Sequence, residues 1–195
     1  MSVLLIGGSP AVPSSTGRLL DHVGQKLSTQ GHWRSTLQVR DLPARALLHG
    51  DTSDLAIKRA LAAVAAADAI VIATPVYKAS FTGILKAFLD LLPQDGLAGK
   101  LVLPLATGGS QSHMLALDYA LRPVLHALEA RQVLASVYAT SQQLTWSDDG
   151  GLTLDPAVAW RLDAGIEDLS AGLQALAGRN EEVYVAPLQP VRLAR

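Results

Sequence analysis

Three short stretches of this chain carry the residue types that a flat, phosphorylated ligand needs. The first runs from Gly8 to Gly17 and holds the hydroxyls of Ser9, Ser14, Ser15 and Thr16 just ahead of a helical apolar pattern. Hydroxyls and backbone N–H groups at a helix N-terminus suit a phosphate monoester. The same stretch also reads as an ordinary polar strand-to-helix turn in which a Ser or Thr caps the helix. The second stretch, Thr74 to Gly83, sets Pro75, Val76, Tyr77 and Phe81 as an apolar wall and adds the cation of Lys78. It suits one side of a flat ring, or it simply covers a strand edge. The third is Thr107-Gly108-Gly109-Ser110. Its glycines let the backbone approach a ligand, and its N–H groups can stabilise negative charge on a reduced ring; alternatively they only permit a tight turn.

Other chemistries lack their residues. The first stretch has neither the three-glycine spacing of a dinucleotide fingerprint nor the Gly-Lys-Ser/Thr of a phosphate-binding ATPase loop. The 5 histidines are scattered and none has a zinc-ligand spacing, so no metal site is expected. His113 stands near Ser110 and Ser112, but without a Gly-x-Ser-x-Gly elbow it is no hydrolase pair; it lines the ligand site or caps a helix. Asp148-Asp149-Gly150-Gly151 is a turn without the ligand pattern of a calcium loop. There is no cysteine, which excludes disulfides, thiol redox chemistry and thiolate-bound metal. A redox role therefore needs a borrowed cofactor. A net charge of −1 leaves no electrostatic footprint for nucleic acid. The opening MSVLLIGGSP has no basic n-region, and Val3 to Ile6 is far too short for a signal peptide or a membrane span, so a cytoplasmic protein with no membrane partner is expected.

The elements that must position these stretches follow from the apolar pattern. At 195 residues and 49% hydrophobic, the chain suits a single domain, residues 1–177. Val3 to Ile6, Ala69 to Ala73, Leu101 to Ala106 and Val133 to Ala139 are continuous apolar runs, the pattern of parallel strands buried on both faces. Pro104 is an objection to the third of them. Trp33 to Val39 reads as an outer strand. Helices are predicted over Leu19 to Leu27, closed by Gly31, and over Ile57 to Val64, capped by Ser53. Another carries Ile84, Leu85, Phe88 and Leu92 and stops at Pro93. A fourth runs from about Met114 to Ala130, where Pro123 predicts a defect near Tyr119. The last opens with Asp155 as cap and Pro156 at its first position. After Gly178 periodicity is lost, and residues 178–195 are expected to be an extended arm, disordered or docked on a neighbouring subunit.

Taken together, GGSP followed by Ser14 and Thr16, ATPVYKASFTGILKAFLDLLP, and LPLATGGSQSHMLALDYALRPVL resemble the NADPH-dependent FMN reductase family. Within it the resemblance is to the SsuE-type reductases of alkanesulfonate utilisation. The likeness spans about Met1 to Leu176, and its second and third segments are long enough to be specific. It implies a flavodoxin-like three-layer α/β sandwich with a five-stranded parallel sheet in the order 2-1-3-4-5 and helices on both faces. It implies that Ser9, Ser14 and Thr16 hold the FMN phosphate, that Gly17 allows close approach, and that Pro75 to Lys78 and Thr107 to Ser110 flank the isoalloxazine ring. NADPH or NADH would reduce FMN as a substrate or loosely bound cofactor, and an FMNH2-dependent monooxygenase would take the reduced flavin to desulfonate a sulfonate in sulfur metabolism.

No side-chain acid or base is obligatory for such a reaction; Tyr77 and Tyr119 are the candidates for shaping access to the flavin. The family's usual arginine is Ala11 here, with Arg18 as the substitute cation. Asp118 to Pro123 resembles the segment in which an inserted tyrosine makes a π-bulge at a subunit interface, which implies a homodimer or homotetramer; the alternative is an ordinary proline kink with Tyr119 in the core. A flavin-retaining quinone or azo reductase and a flavodoxin-like electron carrier are the rival readings.

Overall fold

The register of the central strands brings the three stretches to one edge of the molecule. In this computed structural model, which describes residues 1–147 and 151–182, β1 (Ser2–Gly7), β3 (Ala69–Pro75) and β4 (Leu101–Gly108) lie side by side and parallel. Gly7 pairs with Ala73, Ala73 with Leu105, and Pro75 with Thr107, so the three following loops leave the sheet at nearly the same level. β2 (Trp33–Gln38) pairs with the far side of β1, and β5 (Gln132–Val133) lies beyond β4. The order β2-β1-β3-β4-β5 is that of the flavodoxin-like doubly wound fold, and its winding reverses between β1 and β3. Ligands of such sheets bind beyond the carboxyl ends at that reversal.

Alternation along each strand divides the core in two. Val3, Leu5, Val71, Leu103 and Leu105 point to one face, where Leu19, Leu20, Val23 and Leu27 of α1 (Ser15–Thr29) and Leu162, Ile166 and Leu169 of α6 (Pro156–Glu182) cover them. Leu4, Ile6, Ile70, Ile72 and Val102 point to the other, under α3 (Leu55–Ala66), α4 (Gly83–Leu89) and α5 (Arg122–Ala127). Each such side chain contributes roughly 1.5–3 kcal/mol by leaving water. The sheet alternates with helices on both faces, so a three-layer sandwich results.

Several expectations are corrected. The fifth strand is not continuous: it breaks after β5 and resumes as β6 (Val137–Thr140), which pairs with β4 from Leu105 onward. The cause is Pro104. Leu134 N–H donates to the Val102 carbonyl, and in a regular parallel ladder the Leu134 carbonyl would accept from the N–H of residue 104. Proline has none. The guanidinium of Arg122 takes its place, donating to the carbonyls of Val133 and Leu134 at 2.9 Å each and to Ser136 Oγ at 3.3 Å. The residue that caps α3 is Asp54 rather than Ser53: its carboxylate accepts from the N–H of Ala56 and Ile57, while Ser53 bonds to Asp51.

The predicted long helix from Met114 to Ala130 is two short pieces, a π turn (Leu117–Leu121) and α5, preceded by a 3-10 turn (Gln111–His113). Two further features have weak or no apolar periodicity and go unpredicted: the short α2 (Ala44–His49) and a hairpin of β7 (Leu144–Trp146) with β8 (Leu152–Leu154). Asp155 and Pro156 open α6 as expected, with Asp155 Oδ1 accepting from Ala157 N–H. That helix runs to Glu182, past the expected boundary at residue 177; residues 183–195 lie outside the described residues, as do Asp148 to Gly150 of the predicted turn.

Candidate functional site

The loop after β1 is held open by bonds made beneath it. Thr82, the N-cap of α4, donates from Oγ1 to the Gly8 carbonyl, and Gly8 N–H donates to the Ala73 carbonyl at 2.7 Å. Arg40, in the 3-10 turn after β2, reaches behind the loop and donates to the carbonyls of Ser9 and Ala11 at 3.4 and 3.2 Å. Ser9 is buried and its Oγ accepts from Ala11 N–H. Ser14 caps α1 by accepting from Gly17 N–H at 3.2 Å. In both serines the hydroxyl proton is left for a ligand. The N–H groups of Ser15 and Thr16 stand in the first turn of α1, where no intrahelical acceptor exists, and they have no partner among the described residues. Thr16 Oγ1 and Thr107 Oγ1 are 2.5 Å apart and tie this loop to the one after β4.

These elements enclose an open cleft of about 230 Å³. One side is the polar loop; the other is Pro75, Val76 and Tyr77, with Thr107, Gly108 and Gly109 forming the floor. Val76 N–H donates to the Thr107 carbonyl at 2.8 Å, which locks the two apolar and glycine loops together. A Cβ on Gly108 would stand 2.2 Å from the Tyr138 hydroxyl, so only glycine fits. That hydroxyl donates to the Ser110 carbonyl at 2.6 Å, and burial pushes its pKa up, keeping the donor protonated. Among the described residues no charged side chain lines the cleft. A phosphate in it would meet hydroxyls, N–H groups and the positive end of the α1 dipole.

Of the residues singled out from sequence, Ser9, Ser14, Ser15, Thr16, Pro75, Val76, Tyr77, Thr107, Gly108 and Gly109 all line this one cleft. Gly17 lies directly behind it as the capping donor. Lys78 does not line it. With Ala79 it occupies the two positive-φ positions of a tight turn closed by reciprocal bonds between Tyr77 and Ser80, and it is exposed. Ser110 caps the 3-10 turn that contains the exposed His113. Arg18 does not replace the cation missing at Ala11; it lies over the ring of Trp146, 4.9 Å from its centroid. Ser141 and Arg40 are among the residues that the sequence did not single out. Ser141 directly follows β6 and lines the cleft, a position recoverable only once the true end of β6 is known. Arg40 supports the loop from a different βα unit, and no local pattern marks it.

Tyr119 is 79% exposed within the π turn, so it is not a core residue. Arg122 N–H bonds to the Leu117 carbonyl five residues back. The wider turn arises because Pro123 cannot donate and its ring would crowd the carbonyl of Tyr119. Among the described residues no group of histidine and carboxylate side chains is placed to hold a metal ion, and no helix is long and apolar enough to cross a membrane.

Residues 1–145 match the family model for NADPH-dependent FMN reductase. The chain is 49% identical over 148 residues to an FMN reductase (NADPH) of Pseudomonas putida KT2440, covering 76% of this chain and 75% of that one. It is 39% identical over 188 residues to the FMN reductase (NADPH) of Escherichia coli K12, covering 94% of each. The apo form of the NADH:FMN oxidoreductase EMOB superposes with a TM-score of 0.80 at 43% identity, over 88% of this chain and 89% of that one.

Proposed function

The chain belongs to the NADPH-dependent FMN reductase family, and from that premise we propose that it reduces FMN as a diffusible substrate in the cleft between the α1 loop and the Pro75–Tyr77 wall. FMN with NADPH or NADH supplies the redox chemistry, a hydride passing from nicotinamide to flavin. The residues do the rest. The N–H groups of Ser15 and Thr16 and the hydroxyls of Ser9 and Ser14 bind the phosphate. Pro75, Val76 and Tyr77 lie along one side of the ring, with Gly108 and the free N–H of Gly109 facing its polar edge, where charge arrives on reduction. Holding the two rings in contact supplies the remaining advantage.

The observation that carries this reading is the pairing of unpartnered N–H donors with an uncharged, open cleft. It anchors a phosphate without an ion pair, which favours exchange over retention. Reduced FMN then leaves for a monooxygenase that consumes it with dioxygen, and desulfonation of a sulfonate is the reaction we assign to that partner. Tyr119, Met114 and Leu115, exposed together on the segment after the third loop, support a homo-oligomeric face beside the cleft.

The test is NADPH and NADH oxidation by flavin-free protein in air, with and without added FMN, together with gel filtration of the FMN-loaded protein. Activity that rises with free FMN while the protein elutes colourless supports the proposal. Retained flavin with turnover that requires a quinone would replace it with the flavin-retaining reductase, and electron transfer without NAD(P)H oxidation with the electron carrier.

A further inference from the structure

A second cleft, built partly on the same helix α1, takes no part in the reading above. Its floor is the outer face of α1, where Arg18, Asp21, His22 and Gln25 fall at helical spacing, and its wall is the hairpin of β7 and β8 through Trp146 and Leu152. Arg18 is stacked on Trp146. Neither the Arg18 nor the Asp21 side chain has an ion pair or a hydrogen bond among the described residues, so a cation and a carboxylate both stand ready for a ligand. Both clefts are built from the same two pieces of chain. Ser14 to Thr16 and Ser141 line the first, and Arg18 and Trp146 line the second.

We propose that this cleft is a subsite for the adenosine 5′-phosphate half of a dinucleotide whose other half occupies the first cleft. The inference rests on the reading of the first cleft as a flavin site. A stacked guanidinium leaves the N–H groups along its edge free, and these meet the phosphate that follows the one held by Ser14 to Thr16. The carboxylate of Asp21 accepts from the ribose hydroxyls, and the Arg18–Trp146 pair gives adenine a flat surface. Among flavins this chemistry is that of FAD, whose FMN half fills the first cleft and whose adenylate half continues from the same phosphate.

The experiment titrates 5′-AMP against the flavin-free full chain by calorimetry, then measures FMN and FAD affinity by flavin fluorescence and the NADPH KM at saturating FMN. The proteins are wild type, Arg18→Ala and Trp146→Ala, with melting temperature as a folding check and Trp146→Phe as the conservative variant. The expected result is 5′-AMP binding in wild type, weakened about tenfold or more in Arg18→Ala and Trp146→Ala and recovered in Trp146→Phe. FMN affinity stays within about twofold, less than any one charged hydrogen bond contributes. A parallel loss for FAD, with the NADPH KM at saturating FMN unchanged, supports the flavin adenylate as the occupant; a rise in NADPH KM with FAD affinity unchanged overturns it. If 5′-AMP does not bind, or binds equally to all the variants, the subsite is refuted even where FMN reduction stands. If 5′-AMP binds as expected but FMN does not, the flavin reading fails instead.

Discussion

The two ends of the candidate flavin cleft are built on opposite plans. At the phosphate end, every loop is pinned: Thr82 to Gly8, Arg40 to Ser9 and Ala11, and Thr16 to Thr107, with Ser9, Thr16, Thr82 and Thr107 all buried. At the ring end, Tyr77 is 50% exposed, and Met114, Leu115 and Tyr119 stand in solvent on a segment of 3-10 and π turns. The pinned end presents preorganised donors, whose alignment costs little when a ligand arrives. The open end leaves room for a second planar molecule to enter and leave. Affinity for FMN should therefore reside at one end and turnover at the other.

The sharpest way to break that division is at the pinned end. Ser14→Ala with Thr16→Ala removes a cap, a phosphate-side hydroxyl and the tie from Thr16 to Thr107, and FMN KM should rise about a hundredfold while kcat at saturating FMN holds within about twofold. A fall in kcat with KM unchanged would merge the two ends. Next is the floor shared by both. Gly108→Ala drives a Cβ into the Tyr138 hydroxyl, so kcat/KM should drop about tenfold and stability by about 1–3 kcal/mol. Adding Tyr138→Phe makes room and should restore much of both; no recovery would mean that Gly108 acts through some other contact. Arg40→Ala leaves the Ser9 and Ala11 carbonyls without their donor and should raise FMN KM by about fivefold, with little change in NADPH KM. Equal changes in the two constants would show that Arg40 acts on both ends.

The smallest effect is on pH. Burial lowers the pKa of His22, aided by Lys26 and opposed by Asp163, and burial with the N-terminal ammonium lowers that of His32. The folded state thus binds these protons less readily than the unfolded chain. Stability is independent of them above about pH 6.5, the unfolded histidine value, and declines as pH falls below it. Both residues lie on or after α1, so acid should loosen the helix that carries the phosphate loop. Melting curves from pH 7.5 to 5.5 check this: the drop in Tm should shrink in His22→Gln, and an unchanged slope would clear His22 of the effect.

The hydroxyl-rich loop and the apolar wall of the candidate cleft were legible in the sequence because each lies in a contiguous segment following a buried strand, where residue type and position coincide. The defect at Tyr119 was legible for the same reason: Pro123 sits four residues on. Residues whose role depends on a partner far along the chain were not. Arg40 reaches a loop 29 and 31 residues away, and Thr82 and Tyr138 support the cleft from other βα units. The break in the fifth strand needed Pro104 to be placed against its neighbour. Alone it registers only as an objection to its own strand. Lys78, a cation beside an apolar wall in sequence, is turned outward by a left-handed turn that its side chain does not announce.

Arg122 ties together two faults that arise from different prolines. Its N–H closes the π turn that Pro123 enforces, its guanidinium supplies the donor that Pro104 lacks, and Asp118, within that turn, accepts from it at 3.2 Å. A local fluctuation that releases either fault strips the other of its partner. The sheet edge and the exposed helix segment should therefore open as one cooperative unit, with amide protons on both exchanging at a common free energy. The surface that bears Tyr119 would then be as stable as the strand behind it, despite its irregular backbone and its exposure.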